Sequence, residues 1–263
     1  MVGEYAHPTA LLRFACAFRF RGFSTPLAFR FCTLHSAFTP MPRTRIKICG
    51  ITRVEDAVAA ARAGADAIGM VFYRSAPRCI TLDRAREILA ALPPFVTPVG
   101  LFVDAPLQEV SQTARDLGLR HLQLHGHEDA AYVRALDGFA VLKAVPTARE
   151  TFRAELENWR REIGKGGLAH LRGLLLETAG DGAGGTGVAN DWEFVKSCQA
   201  EGAFDGLPPI IAAGGLTPGN VAAVVRDLKP WAVDVSSGVE ASKGVKSAEK
   251  IDAFVKAVNA AHD

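Results

Sequence analysis

The sequence lacks any uninterrupted apolar run of roughly 18 residues, so it offers no candidate membrane-spanning helix. It also has little net charge. Thirty lysines and arginines stand against 28 acidic residues, a formal balance of +2, which is too small for nucleic acid to be the main partner. The five cysteines (Cys16, Cys32, Cys49, Cys79 and Cys198) include no CxxC pair. That pattern is neither a disulfide framework nor a zinc signature. It suits a reducing compartment, so a cytoplasmic location is expected. The GxGxxG that usually follows the first strand of a doubly wound dinucleotide-binding sheet is missing as well. What remains is ample material for a core: 49% of the 263 residues are apolar and 22% charged. Those are ordinary values for a globular protein, and α/β barrels use about 250 residues as a single domain.

The first forty residues stand apart. They hold seven phenylalanines and four arginines but no lysine, without a helical or alternating period. Residues 1–42 carry +3, from four arginines against Glu4, so residues 43–263 carry 2 − 3 = −1. Residues 1–42 are therefore expected to be an N-terminal extension outside the catalytic domain. Three readings compete: a targeting segment, a loosely packed or disordered extension, or a stretch upstream of the true start. The last is preferred, because Met41 is followed almost at once by the strand-like Arg45-Ile46-Lys47-Ile48-Cys49. No compact apolar stretch with a small-residue cleavage site marks a secretory signal.

From Arg45 onward, short apolar strands alternate with amphipathic helical patterns. Strands are expected at 45–49, 67–72, 97–103, 121–125, 141–146, 173–177, 209–213 and 231–236. Helices are expected over stretches such as Val54–Ala63, Leu82–Leu92, Leu107–Leu117 and Val221–Leu228. Such alternation implies a parallel sheet with helical crossovers. Eight units fit an α/β fold of the (β/α)8 TIM barrel type across 43–263. Thr217 and Pro218 are expected to open one helix as N-cap and first residue. Ser247 should cap the last helix, and Gly64 and Gly118 should end two others.

Strand alternation then assigns faces. If Ile46 and Ile48 face the helices, Lys47 and Cys49 point into the barrel. Ala232, Asp234 and Ser236 point inward from the last strand. The first and last strands are neighbours in a closed barrel, which brings Lys47 and Asp234 within reach of each other. Gln123, His125 and Glu177 join them near the C-terminal strand ends, where barrel enzymes carry their chemistry.

Several short segments sharpen this picture. They are Lys47-Ile48-Cys49-Gly50-Ile51-Thr52, Gly64-Ala65-Asp66-Ala67-Ile68-Gly69, and Val71-Phe72-Tyr73 with Arg78. Further along come Gln123-Leu124-His125-Gly126, Gly184-Gly185-Thr186-Gly187, Ala213-Gly214-Gly215-Leu216 and Asp234-Val235-Ser236-Ser237-Gly238-Val239-Glu240. In this order and spacing the region from Lys47 resembles the phosphoribosylanthranilate isomerases of tryptophan biosynthesis. The resemblance implies an Amadori aldose–ketose rearrangement of a small phosphoribosyl substrate, with no metal and no organic cofactor, since the substrate nitrogen is the electron sink. It implies Cys49 as general base and Arg78 as the grip on the anthranilate carboxylate, a task that suits a guanidinium fork. Phosphate would be held at Gly214, Gly215, Ser236, Ser237 and Gly238, by loops of the kind that bind phosphate in many barrels, and Gly184–Gly187 would be a mobile loop. Asp234 either orients the anthranilate amine or pairs with Lys47. One position departs from the family: its general acid is an aspartate at the end of strand six, and this chain has Glu177.

Cysteine is more often a buried core residue than a catalyst, and Cys79 and Cys198 are read that way. His125 is read as a hydrogen-bonded interior histidine, and Trp192 as packing. Asp181 is a weaker candidate for the acid. A related barrel acting on another phosphoribosyl substrate is a second possibility, although the duplicated halves of histidine-pathway barrels are not evident. A barrel that binds ligand without turnover, suggested by Glu177, is a third. The chain is expected to work as a monomer.

Overall fold

The computed structural model describes residues 43–178 and 190–262. The expected extension 1–42, Asp181 and the Gly184–Gly187 loop lie outside these residues.

Eight parallel strands close into a barrel in sequence order: β1 (Arg45–Ile48), β2 (Ala67–Val71), β3 (Thr97–Phe102), β4 (His121–Leu124), β5 (Ala140–Pro146), β6 (Leu171–Glu177), β7 (Ile210–Ala212) and β8 (Ala232–Val235). The helices between and after them are α1 (Val54–Ala63), α2 (Leu82–Ala91), α3 (Leu107–Asp116), α4 (Ala130–Arg134), α5 (Phe152–Gly164), α6 (Trp192–Ala200), α7 (Val221–Leu228) and α8 (Ala248–Asn259). This is the (β/α)8 barrel that the alternation predicts. Each expected strand is present, with ends differing by one or two residues.

Three apolar clusters hold it together, the smallest being Cys49, Val71 and Leu101 near the C-terminal strand ends. Outward-facing strand residues such as Ile46, Ile48, Leu122, Leu124, Leu174 and Leu176 pack on the helices in one continuous core. Inside the barrel, Ala144, Leu175, Ile211, Ala213 and Ala232 fill the floor. Above that floor polar groups enter the interior, with Lys47 opposite Asp234 in the register of β1 and β8.

The local signals mostly act as expected. Gly64 ends α1 with φ +100, and the Ser247 hydroxyl accepts from the Lys250 N–H at the start of α8. The start of α7 differs. Thr217 is not its N-cap; Asn220 is. The Thr217 carbonyl accepts from the N–H groups of Asn220 and Val221, and the Asn220 side chain accepts from the Thr217 N–H at 2.7 Å. The Thr217–Asn220 segment is thereby closed into a turn that delays the helix by three residues.

Beyond β8 the chain adds a feature that the strand–helix pattern does not predict. A single-turn 3-10 helix, Ser237–Val239, leads into an antiparallel hairpin of β9 (Glu240–Ser242) and β10 (Val245–Lys246). The hairpin lies between the last barrel strand and α8.

Candidate active site

A cavity of about 1070 Å³ opens at the C-terminal ends of the strands. Cys49, Arg78, Gln123, His125, Glu177, Asp234 and Ser236 all line it. Residues drawn from β1, β4, β6, β8 and the loop after β2 therefore meet in one space, as the alternation argument requires.

Cys49 directly follows β1, and its N–H donates to the Val235 carbonyl at 2.8 Å. The thiol is buried. Gly69 on the neighbouring strand makes this possible, since a Cβ there would sit 2.7 Å from the Cys49 sulfur. Burial pushes the thiol above its ordinary value; Lys47 pulls the other way and Asp234 adds to the rise. Lys47 Nζ donates to Asp234 Oδ1 at 2.7 Å. Burial opposes charge on Lys47, but the Asp234 carboxylate more than offsets it and the amine stays protonated. Of the two roles open to Asp234, the pairing with Lys47 is thus present. Its Oδ2 has no donor among the described residues.

Glu177 ends β6. Burial, with a further contribution from Asp234, pushes its carboxyl up to about 7, against the weaker pull of the Thr178 N–H and Lys47. The nearest histidine does not counter this. His125 Nε2 lies 4.0 Å from Glu177 Oε2, beyond hydrogen-bond length. Burial lowers His125 to about 4, so it is neutral near pH 7. Its Nδ1 lies 2.9 Å from Gln123 Nε2. With that amide donating, the imidazole proton sits on Nε2, on the side of Glu177. His125 is thus a hydrogen-bonded interior histidine that also borders the cavity.

Arg78 also borders the cavity, and it is not free. Its Nε and Nη2 donate to the two oxygens of Glu240 at 2.7 and 2.9 Å. A second buried pair braces the opposite rim. Lys143 Nζ donates to the Gly126 carbonyl at 2.6 Å and to Glu128 at 3.1 Å. Glu128 in turn accepts from the N–H groups of Asp104 and Gly126. The loops after β3 and β4 are tied to β5 by this clamp.

The glycine and serine loops adjoin. Gly214, Gly215, Ser236 and Ser237 line a small recess that Glu177 and Asp234 also border. Gly214 and Gly215 have φ +86 and +61, and a Cβ on Gly238 would collide with the Leu216 carbonyl oxygen. The two loops therefore approach each other more closely than side chains allow. The N–H groups of Gly214, Gly215, Ser237 and Gly238 donate to no acceptor among the described residues. Such a nest of free donors suits an anion.

The described candidates from the sequence, Gly238 apart, thus line the cavity or the recess beside it. Glu240, Lys246, Lys143 and Glu128 carry no signal of these contacts in the sequence. Their partners are distant in sequence, and only the closed fold brings them together. Gln123 was placed on the correct face, but its buried Oε1, which lacks a partner among the described residues, was not foreseeable.

A closed barrel that gathers a thiol, carboxylates, an arginine and an anion nest at the C-terminal ends of its strands has the layout of an enzyme for a small anionic substrate. Comparison with known proteins makes this specific. The family model for N-(5'-phosphoribosyl)anthranilate isomerase matches residues 46–257. A Pseudomonas aeruginosa (strain UCBPP-PA14) protein of that name is 47% identical over 227 residues, covering 83% of this chain and 96% of the relative. One from Pseudomonas fluorescens is 46% identical over 226 residues, covering 85% and 99%. The solved phosphoribosylanthranilate isomerase of Thermotoga maritima superposes with a TM-score of 0.72 at 35% identity, covering 82% of this chain and 99% of its own. Another solved isomerase, in complex with reduced 1-(o-carboxyphenylamino)-1-deoxyribulose 5-phosphate, gives 0.70 at 34% identity with the same coverage. The chain belongs to the N-(5'-phosphoribosyl)anthranilate isomerase family.

Proposed function

We infer that this chain isomerises N-(5'-phosphoribosyl)anthranilate to 1-(o-carboxyphenylamino)-1-deoxyribulose 5-phosphate, the aldose–ketose step of tryptophan biosynthesis. The solved relative that holds the reduced form of this product supports the choice of substrate.

The chemistry follows from the groups around the cavity. Glu177 gives its proton to the ribose ring oxygen. The C1–O bond breaks as the nitrogen lone pair forms the iminium. The Cys49 thiolate then removes the C2 proton, and the electrons move onto nitrogen to give the enolamine. Protonation at C1 with loss of the C2 hydroxyl proton then gives the ketone. Burial alone makes the thiol a poor anion, but the iminium is a positive charge formed beside it, and opposite charge favours the thiolate. Asp234, with Oδ1 held by Lys47, offers Oδ2 to the anilino N–H. Arg78 takes the ring carboxylate. The free N–H groups of Gly214, Gly215, Ser237 and Gly238, with Ser236 beside them, take the phosphate. The reaction is assigned to residues 43–263, which include the matched segment. A cytoplasmic location is supported by the free state of Cys49, Cys79 and Cys198.

The observation that carries this reading is the environment of Glu177. A carboxyl raised to about 7 holds a transferable proton near neutral pH, and efficient general acids have a pKa close to the working pH. That raised value supports Glu177 as the acid despite the extra methylene relative to the family's aspartate. The test is rescue of a tryptophan auxotroph that lacks this isomerase. The wild-type chain should restore growth and the Cys49→Ala chain should not. No rescue by well-expressed, folded wild-type protein overturns the reading.

A further inference from the structure

We propose that Glu240 is a positioning residue for substrate recognition: it locks the guanidinium of Arg78 so that one defined edge faces the substrate carboxylate, and Lys246 locks Glu240 in turn. This rests on the assignment of Arg78 to the anthranilate end.

Three observations support it. First, the contact is bidentate and buried. Glu240 accepts from Arg78 Nε at 2.7 Å and from Nη2 at 2.9 Å, and both side chains are under a tenth exposed. A guanidinium has two forked edges. Glu240 fills the Nε–Nη2 edge and leaves the Nη1–Nη2 edge, whose Nη1 has no acceptor among the described residues. That free edge matches a carboxylate.

Second, Arg78 borders the cavity but Glu240 and Lys246 do not. Whatever they contribute passes through Arg78. The Arg78 stem packs closely over Gly50, where a Cβ would lie 2.5 Å from its Cδ.

Third, Glu240 is itself held from the other side. Lys246 Nζ donates to Glu240 Oε1 at 2.9 Å and to the Ser236 carbonyl at 3.0 Å, and the Lys246 N–H donates to Asp56 at 3.0 Å. Lys246 also lies 3.4 Å from Ser236 Oγ. The β9–β10 hairpin thus ties the arginine after β2 to the serine loop after β8, which are the two ends that grip the substrate. The triad of Arg78, Glu240 and Lys246 carries one surplus positive charge, which suits an anionic ligand. The hairpin is therefore a brace for recognition rather than a mere connection to α8.

The experiment measures the affinity of two ligands by calorimetry: the reduced product analogue, and its counterpart with the ring carboxylate replaced by hydrogen. The preference for the first reports the Arg78–carboxylate contact alone. A charge-assisted contact of this kind is expected to give about a tenfold to hundredfold preference in the wild type. Glu240→Gln should cut that preference to a few-fold at most, leaving affinity for the ligand without the carboxylate within about twofold. Equal loss for both ligands would make Glu240 merely structural and overturn the proposal. Arg78→Lys separates the two layers of the argument. If it abolishes the preference while Glu240→Gln keeps it, only the role of Glu240 fails. If neither variant changes it, the assignment of Arg78 fails too. Should Glu240→Gln fold poorly by thermal unfolding, Glu240→Asp, which keeps the charge, is read by the same ratio. Its preference should fall between those of wild type and Arg78→Lys; a wild-type ratio overturns the proposal.

Discussion

Replacing Glu177 by glutamine should make the protein relatively more stable as pH rises. In the folded chain the carboxyl is pushed from 4.5 up to about 7, chiefly by burial and then by Asp234. Its side chain is only 15% exposed, so solvent screens little of this. At roughly 1.4 kcal/mol per pH unit, the shift corresponds to about 3 kcal/mol. The sign follows from proton linkage. Below pH 4.5 the carboxyl is protonated in both states and has no effect on pH dependence. Between 4.5 and 7 the unfolded chain releases the proton while the folded chain keeps it, so stability falls with each unit. Above 7 both states are ionised and the loss is complete. Glutamine cannot ionise and removes this loss. Urea unfolding of wild type and Glu177→Gln at pH 5 and pH 8 measures the effect. The difference in unfolding free energy between variant and wild type should move by between about 2 and 3 kcal/mol in favour of glutamine on going to pH 8. A difference that stays constant across that range would mean that Glu177 titrates normally, and the acid assigned to the reaction would lose its physical basis.

The pH dependence of kcat/KM follows from the same groups. The reacting form needs Glu177 protonated and Cys49 ionised, and burial holds the thiol above its usual range. Activity should climb with pH to about 7, stay level up to the raised pKa of the thiol, where each gain in thiolate is offset by loss of glutamic acid, and fall above it. A profile with no break near 7 contradicts this. Gly238→Ala should raise KM at least tenfold, since its Cβ would collide with the Leu216 carbonyl oxygen and must displace the nest proposed to hold the phosphate; steady-state kinetics with unchanged KM would contradict that role.

Much of this was legible in the sequence, for identifiable reasons. Strand alternation alone places Lys47, Cys49, Asp234, Gln123 and Glu177 inside a closed barrel, and closure puts β1 beside β8. The Lys47–Asp234 pair is therefore readable from periodicity and topology together, and the 2.7 Å contact bears it out. The start of α7 was not readable. Thr217-Pro218 has the composition of a helix start, but Asn220 three residues on captures the Thr217 N–H and closes a turn first. Glu240 stood in a recognised segment without a role. Its partner Arg78 is 162 residues away, and the hairpin that delivers it is too short to announce itself by alternation. The Lys143–Glu128 clamp was hidden for the same reason, since neither residue marks its partner and only the register of β4 and β5 brings them together.

The central claim is that Cys49 and Glu177 act on one opened sugar in a single cavity. Turnover by purified Cys49→Ala tests it most directly, alongside calorimetric binding of the reduced product analogue to the same protein. We expect kcat to fall by about 10²- to 10⁴-fold, the usual weight of a general base, with affinity for the analogue retained. Wild-type turnover by that variant would contradict the account.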